Sequence, residues 1–139
     1  MDQVLAFFGE PPTCVFCGSP DVARWDHLVP VNLGGDTVVG NMVPACQRCD
    51  DSRQDNPFDA WMVSNAQHSP KTRGTSDLDE RITRLRAYAE HFGYKTRPVE
   101  ERCRPTELPR LEDLRSRAAA LRKEIEEFIR DFNEVRQKR

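Results

Sequence analysis

Two short pairs of cysteines carry the strongest chemical signal in the chain. Cys14-Val15-Phe16-Cys17 and Cys46-Gln47-Arg48-Cys49 are both C-x-x-C, with 28 residues between them. Such a turn presents two thiolates to one side of a metal, and two turns complete the closed tetrahedral site of a single structural zinc. Two disulfides in a secreted chain are the alternative use of the same residues. Between the pairs stand Asp26-His27, Gly34-Gly35 and Asn41, and Asp50 follows Cys49 directly. A four-thiolate knot would bring Asp50 toward Asp26, because one peptide bond ties Asp50 to Cys49. Two gathered carboxylates suit a hard cation, Mg2+ or Mn2+, which takes oxygen ligands and keeps waters for a phosphate. A histidine of ordinary pKa, about 6.5, can deprotonate a water for attack on phosphorus. The charge on the leaving 3′ oxygen would then be offset by the cation. The alternative for Asp26-His27 is a half-buried pair in a zinc ribbon that only binds.

These groups need a scaffold. Residues 22–29 read as a strand ended by Pro30, and residues 41–45 suit a second short strand. The second C-x-x-C opens a helix to about Arg53. Asn56-Pro57 then starts another, with Asn56 as cap, running to about Ser64 and burying Phe58, Trp61 and Met62. Neighbours along a strand face opposite ways, so Asp26 and His27 flank one site only if the strand twists or bulges there. The expected fold is α+β, a small ββα core stapled by a four-cysteine zinc site and followed by C-terminal helices.

The expected divisions are a site-bearing domain at 1–66, a linker at 67–75, a helix at 76–93, a proline-containing linker at 94–109, and a terminal helix at 110–139. Residues 1–13 read as a lead-in that packs Phe7 or Phe8. Ala66 to Thr75 is polar and punctuated. The 76–93 helix shows Leu78, Ile82, Leu85, Ala89 and Phe92 on one face, and Gly93 caps it. Pro98, Pro105 and Pro109 forbid a continuous helix over 94–109. His68 and His91 read as surface residues, Trp25 and Trp61 as core, and Cys103 as an ordinary thiol.

The last segment carries Leu111, Leu114, Ala118, Leu121, Ile125, Phe128, Phe132 and Val135 at alternating spacings of three and four. That is the a/d stripe of a coiled coil, able to serve a homodimer, a partner protein or the 76–93 helix. In a parallel pair Arg110 would face Arg115, and Arg117 would face Arg122. Reversed about a point between Ala120 and Leu121, Arg110 meets Asp131 and Arg117 meets Glu124. The charges therefore favour an antiparallel arrangement.

A chain with 37% hydrophobic and 32% charged residues is lean, so a metal or an interface is expected to staple it. No run is long enough to span a membrane. Asp2 and the prolines Pro11 and Pro12 do not suit a signal peptide, so a cytoplasmic chain with reduced cysteines is expected. The net charge of −2 argues against purely charge-driven nucleic-acid binding. Its distribution is uneven: residues 1–56 hold eight acids and three bases, and residues 108–139 hold seven and nine. The acidic end is where cations would sit.

Asp26-His27-Leu28-Val29-Pro30, Gly34-Gly35, Asn41-Met42-Val43-Pro44 and the second C-x-x-C with Asp50 after it come in an order that resembles the HNH endonucleases. The resemblance covers residues 14 to about 62. It implies a metal-dependent DNA endonuclease of the ββα-metal kind, with a four-cysteine zinc site, in a phage or bacterial setting. Residue by residue it implies His27 as general base, Asp26 as ligand to the divalent cation, and Asn41 as the residue holding the loop and orienting the base. Asp50 stands where His or Asn is usual and keeps an oxygen ligand. Gly34-Gly35 would let the loop approach the DNA backbone. Arg48 and Arg53 are candidate phosphate contacts, or solvated helix charges. Two other readings follow: a catalytically inactive zinc-dependent module that binds nucleic acid or protein, and a nuclease subunit recruited to a partner machine by its coiled coil.

Overall fold

The computed structural model describes residues 1–137. It forms two compact units, one spanning Met1–Val99 and the other running from Glu100 onward. The first unit holds α1 (Asp2–Phe8), β1 (Arg24–His27), a 3-10 turn (Val31–Leu33), β2 (Met42–Ala45), α2 (Gln47–Arg53), α3 (Phe58–Met62) and α4 (Leu78–His91). A short helix, α5 (Val99–Arg102), lies where the units divide, and α6 (Leu108–Gln137) makes most of the second.

The two strands are antiparallel, with Arg24 opposite Ala45, Asp26 opposite Val43 and His27 opposite Met42. Both are slightly shorter than the sequence suggests. Past His27 the Val29 N–H turns to the Asn41 side chain (2.8 Å), so the regular ladder stops. Under the hairpin lies the core, in which Val4, Phe16, Leu28, Val43, Trp61, Met62 and Leu85 are buried with Cys14 and Cys49. Phe16 and Trp61 meet edge to face with ring centres 5.4 Å apart.

Three segments depart from expectation. The lead-in is helical: α1 buries Val4 and lays Phe7 and Phe8 against Tyr88, at 5.2 and 4.7 Å between ring centres. Seven residues are too few for their periodicity to stand out. The polar stretch at 66–75 is folded rather than a free linker. Ser69 and Pro70 are buried, the Ser69 hydroxyl donates to the Ser64 carbonyl (2.8 Å), and the Lys71 N–H donates to Met62 (3.1 Å). Its hydroxyls satisfy backbone carbonyls instead of water. On α4, Tyr88 is fully buried and Ala89 only half-buried. The phenol hydroxyl finds partners inside, so the ring can occupy the core.

Asn56 does not cap α3. Pro57 holds that position, and the Asn56 side-chain amide donates to the Arg53 carbonyl at the end of α2 (2.9 Å). In the second unit α6 is 30 residues long, with Pro109 tolerated in its first turn. Its stripe is exposed at Leu114, Leu121, Ile125, Phe128, Phe132 and Val135. The last two residues of the expected helix, 138–139, lie outside the described residues. Among those described, no helix is long and apolar enough to cross a membrane.

Candidate active site and metal centre

The fold brings the four cysteines together. Their Sγ atoms all lie within 4.8 Å of one another, with Cys17 and Cys46 at 3.7 Å. Bonds of about 2.3 Å to a tetrahedral zinc place sulfurs roughly 3.8 Å apart, so this donor set is compatible with one zinc. Cys14, Cys46 and Cys49 are buried, and none of the five cysteines forms a disulfide. The thiols resist ionising together. The hydrogen bond to Cys17 and burial push Cys14 up to about 11. Cys49 is pushed up further by Cys14 and Cys17, whereas bonds from its own neighbours, Cys14 and Cys49, hold Cys17 down. A cation bound among them would relieve that conflict. Arg73 lies alongside, its Nη1 donating to Cys49 Sγ (3.4 Å), and Arg81 of α4 donates to the Val15 carbonyl within the first knuckle (3.2 Å).

Beside the cluster, β1 and α2 shape an open cleft lined by Asp26, His27, Asn32, Asp50, Gln54 and Asp55. His27 is the last residue of β1, so both members of the Asp26-His27 pair reach this cleft. Asp50 sits in the first turn of α2 because Cys46 and Cys49 fix that turn against the strands. Burial raises the Asp50 carboxyl above its ordinary value and the charge of Asp26 raises it further; Arg24, 3.1 Å away, opposes them. Two acids that resist sharing charge are a donor set that fits a hard divalent cation. The carboxylates do not close into a three-ligand cluster, so such a cation would keep water ligands.

Asp26 is held from behind. Its Oδ2 accepts from Arg53 Nη1 (2.6 Å), and its Oδ1 accepts from the His27 N–H (2.7 Å). Arg53 has no exposed surface. Its other donors reach the carbonyls of His27 (2.7 Å), Leu28 (2.6 Å) and Asn56 (3.1 Å). The expected phosphate contact at Arg53 is therefore corrected: a guanidinium spent on four internal acceptors does not face a ligand in solvent. Arg48 is exposed on α2.

Asn41 is fully buried and bridges the loop between the strands. Its Oδ1 accepts from Val29 N–H, and its Nδ2 donates to the carbonyls of Val29 (3.2 Å) and Asp36 (2.8 Å). Gly34 and Gly35 are buried too. A Cβ on Gly35 would fall 1.8 Å from the Val29 carbonyl oxygen, so the close approach is to the chain's own backbone, not to an exterior ligand. Thr37 contacts His27 directly, its Oγ1 2.9 Å from Nε2. The sequence reading missed Thr37, Arg24, Gln54 and Asp55. None belongs to a recognisable spacing: Gln54 and Asp55 line the cleft just past α2, Arg24 reaches Asp50 from the start of β1, and Thr37 meets His27 from the loop before β2. His68 and His91 are exposed, and Trp61 is core.

Residues 14–56 match the HNH endonuclease family. Over 87 residues it is 29% identical to the CRISPR-associated endonuclease Cas9 of Corynebacterium diphtheriae, an alignment that takes in 60% of this chain and 8% of that relative. The chain thus spans a small fraction of the length of the relative it matches. No solved structure gives a significant match.

Proposed function

We propose that this protein is a metal-dependent DNA endonuclease that hydrolyses phosphodiester bonds in the cytoplasm. The observation that carries the reading is the convergence of Asp26, His27 and Asp50 on one cleft, next to a preformed four-cysteine cluster, inside a segment that matches a nuclease family. His27 accepts a proton from water as the water oxygen bonds to phosphorus. The bond from phosphorus to the 3′ oxygen breaks in line. Asp26 and Asp50 would hold Mg2+ or Mn2+, which supplies charge stabilisation at the phosphate when bound. Arg53 and Asn41 keep the end of β1 rigid while this happens. The cysteine cluster takes zinc and serves structure only.

A second reading has its own support. Asp26 already accepts from Arg53, and Asp50 is paired with Arg24, which is what a zinc-stabilised binding module without catalysis would also show. Relaxation of supercoiled plasmid separates the two. The wild type is expected to nick in Mg2+ or Mn2+ and to stop when EDTA is added. His27→Ala, which leaves both metal sites intact, should lose about 10²-fold or more in rate. Cleavage by His27→Ala at the wild-type rate would place the base elsewhere, and no cleavage by the wild type under any divalent cation would favour the binding module.

A further inference from the structure

The loop that touches His27 is gripped by residues well outside the HNH segment. Thr37 lies between the 3-10 turn and β2, and its hydroxyl is the partner of His27 Nε2. One residue earlier, the Asp36 N–H donates to the Tyr94 hydroxyl (3.0 Å). At the other end of the loop, the Gly40 N–H donates to the Tyr88 hydroxyl (3.0 Å), which itself donates to the Met42 carbonyl (2.7 Å). The packing is as close as the bonding. Gly40 has φ +94°, and a Cβ there would come within 2.8 Å of Tyr94 Cβ. Asn41 closes the same loop from within, through its bond to the Asp36 carbonyl (2.8 Å).

A neutral imidazole has one N–H and one lone pair, so the bond made by one nitrogen decides what the other can do. If Nε2 accepted a hydrogen bond from the Thr37 hydroxyl, Nδ1 would carry the ring's hydrogen and could accept nothing. If Nε2–H donates to Thr37, Nδ1 keeps its lone pair. Resting on the assignment of His27 as general base, we infer that Thr37 is a positioning residue that accepts the Nε2–H of His27 and leaves Nδ1 as the proton acceptor, with Tyr94 and Tyr88 holding the loop that presents it. The working site then extends from Asp26 to Tyr94, beyond the span that matches the family. Thr37 is exposed, so losing its hydroxyl removes orientation and little packing.

Thr37→Val and Thr37→Ser test this in the full chain. Single-turnover cleavage should fall roughly 10-fold or more in Thr37→Val, with KM for plasmid and thermal melting unchanged, and Thr37→Ser should restore it. Tyr94→Phe should lose less, in the same direction. Long-range 1H–15N correlation spectra of His27 read the tautomer without any cleavage. The neutral wild-type ring is expected to carry its proton on Nε2, and Thr37→Val to show a mixture. A wild-type ring protonated on Nδ1, or equal rates for wild type and Thr37→Val, overturns the inference. The expected tautomer in a protein that cuts no DNA in Mg2+ or Mn2+ would instead overturn the assignment of His27 as a base, while supporting the orientation by Thr37.

Discussion

The hairpin unit and the terminal helix handle their side chains in opposite ways. In the first unit polar groups are drawn inside and satisfied there. Arg53, Asn41 and Ser69 are fully buried, and no buried side-chain nitrogen or oxygen among the described residues lacks a partner. In α6 apolar groups are left outside: Phe128 is 68% exposed and Val135 62%. Phe128 and Phe132 stack on each other, with Arg136 over the Phe132 ring at 4.4 Å. A core as small as that under the hairpin cannot by itself fix a cleft within the tolerance that chemistry needs. Buried hydrogen bonds, and a metal where one binds, supply that rigidity. A long helix needs no such network to form, but an apolar face in water is incomplete.

Breaking the metal knot should have the largest effect. A structural zinc in small domains is worth about 10–16 kcal/mol of apparent folding energy, so Cys49→Ser, or chelation strong enough to strip zinc, should unfold the first unit while α6 keeps its helicity. Circular dichroism and elemental analysis check both parts. One zinc per chain is expected, and folded, active protein without zinc would overturn the structural role.

Arg53→Met comes next. It leaves Asp26 and three carbonyls without their donor, and removing one partner of a buried ion pair costs about 3–5 kcal/mol. The melt should shift accordingly, and added Mg2+ should recover part of the loss by occupying Asp26. A variant as stable as the wild type would mean that water replaces the guanidinium and that the network matters little.

The smallest effects belong to α6, and they sharpen the contrast. The α4 stripe is spent on its own core through Ile82, Leu85 and Tyr88, which favours a second copy of the chain as the partner of α6. Light scattering should show a dimer for the full chain and a monomer after truncation before Pro109. Orientation rests on exposed charge pairs worth a few tenths of a kcal/mol each. Arg117→Glu should weaken an antiparallel dimer, by setting Glu against Glu124, yet strengthen a parallel one, by setting Glu against Arg122. Within each chain Arg115 is already paired with Glu100, which softens its repulsion with neighbouring arginines. A monomeric full chain would remove the dimer altogether.

The two C-x-x-C pairs, Asp26-His27 and Asp50 stood out in the sequence by residue type and spacing, and Asn41 by its place in the motif order that resembles the HNH endonucleases; the fold gathers the four cysteines and sets Asp26, His27 and Asp50 on one cleft. The α6 stripe was legible too, since a helix repeats its faces at fixed intervals whatever surrounds it. What touches the pair was not legible. Arg53 read as a phosphate contact or a solvated helix charge until the fold enclosed it, and Thr37, Tyr88 and Tyr94 lie 10, 61 and 67 positions after His27 in no pattern. Their roles depend on where α4 and the loop between the strands come to rest on the hairpin. That placement is settled by the joint packing of Phe7, Phe8 and Tyr88 and by hydrogen bonds across 46 and 58 residues of chain, which no local periodicity encodes.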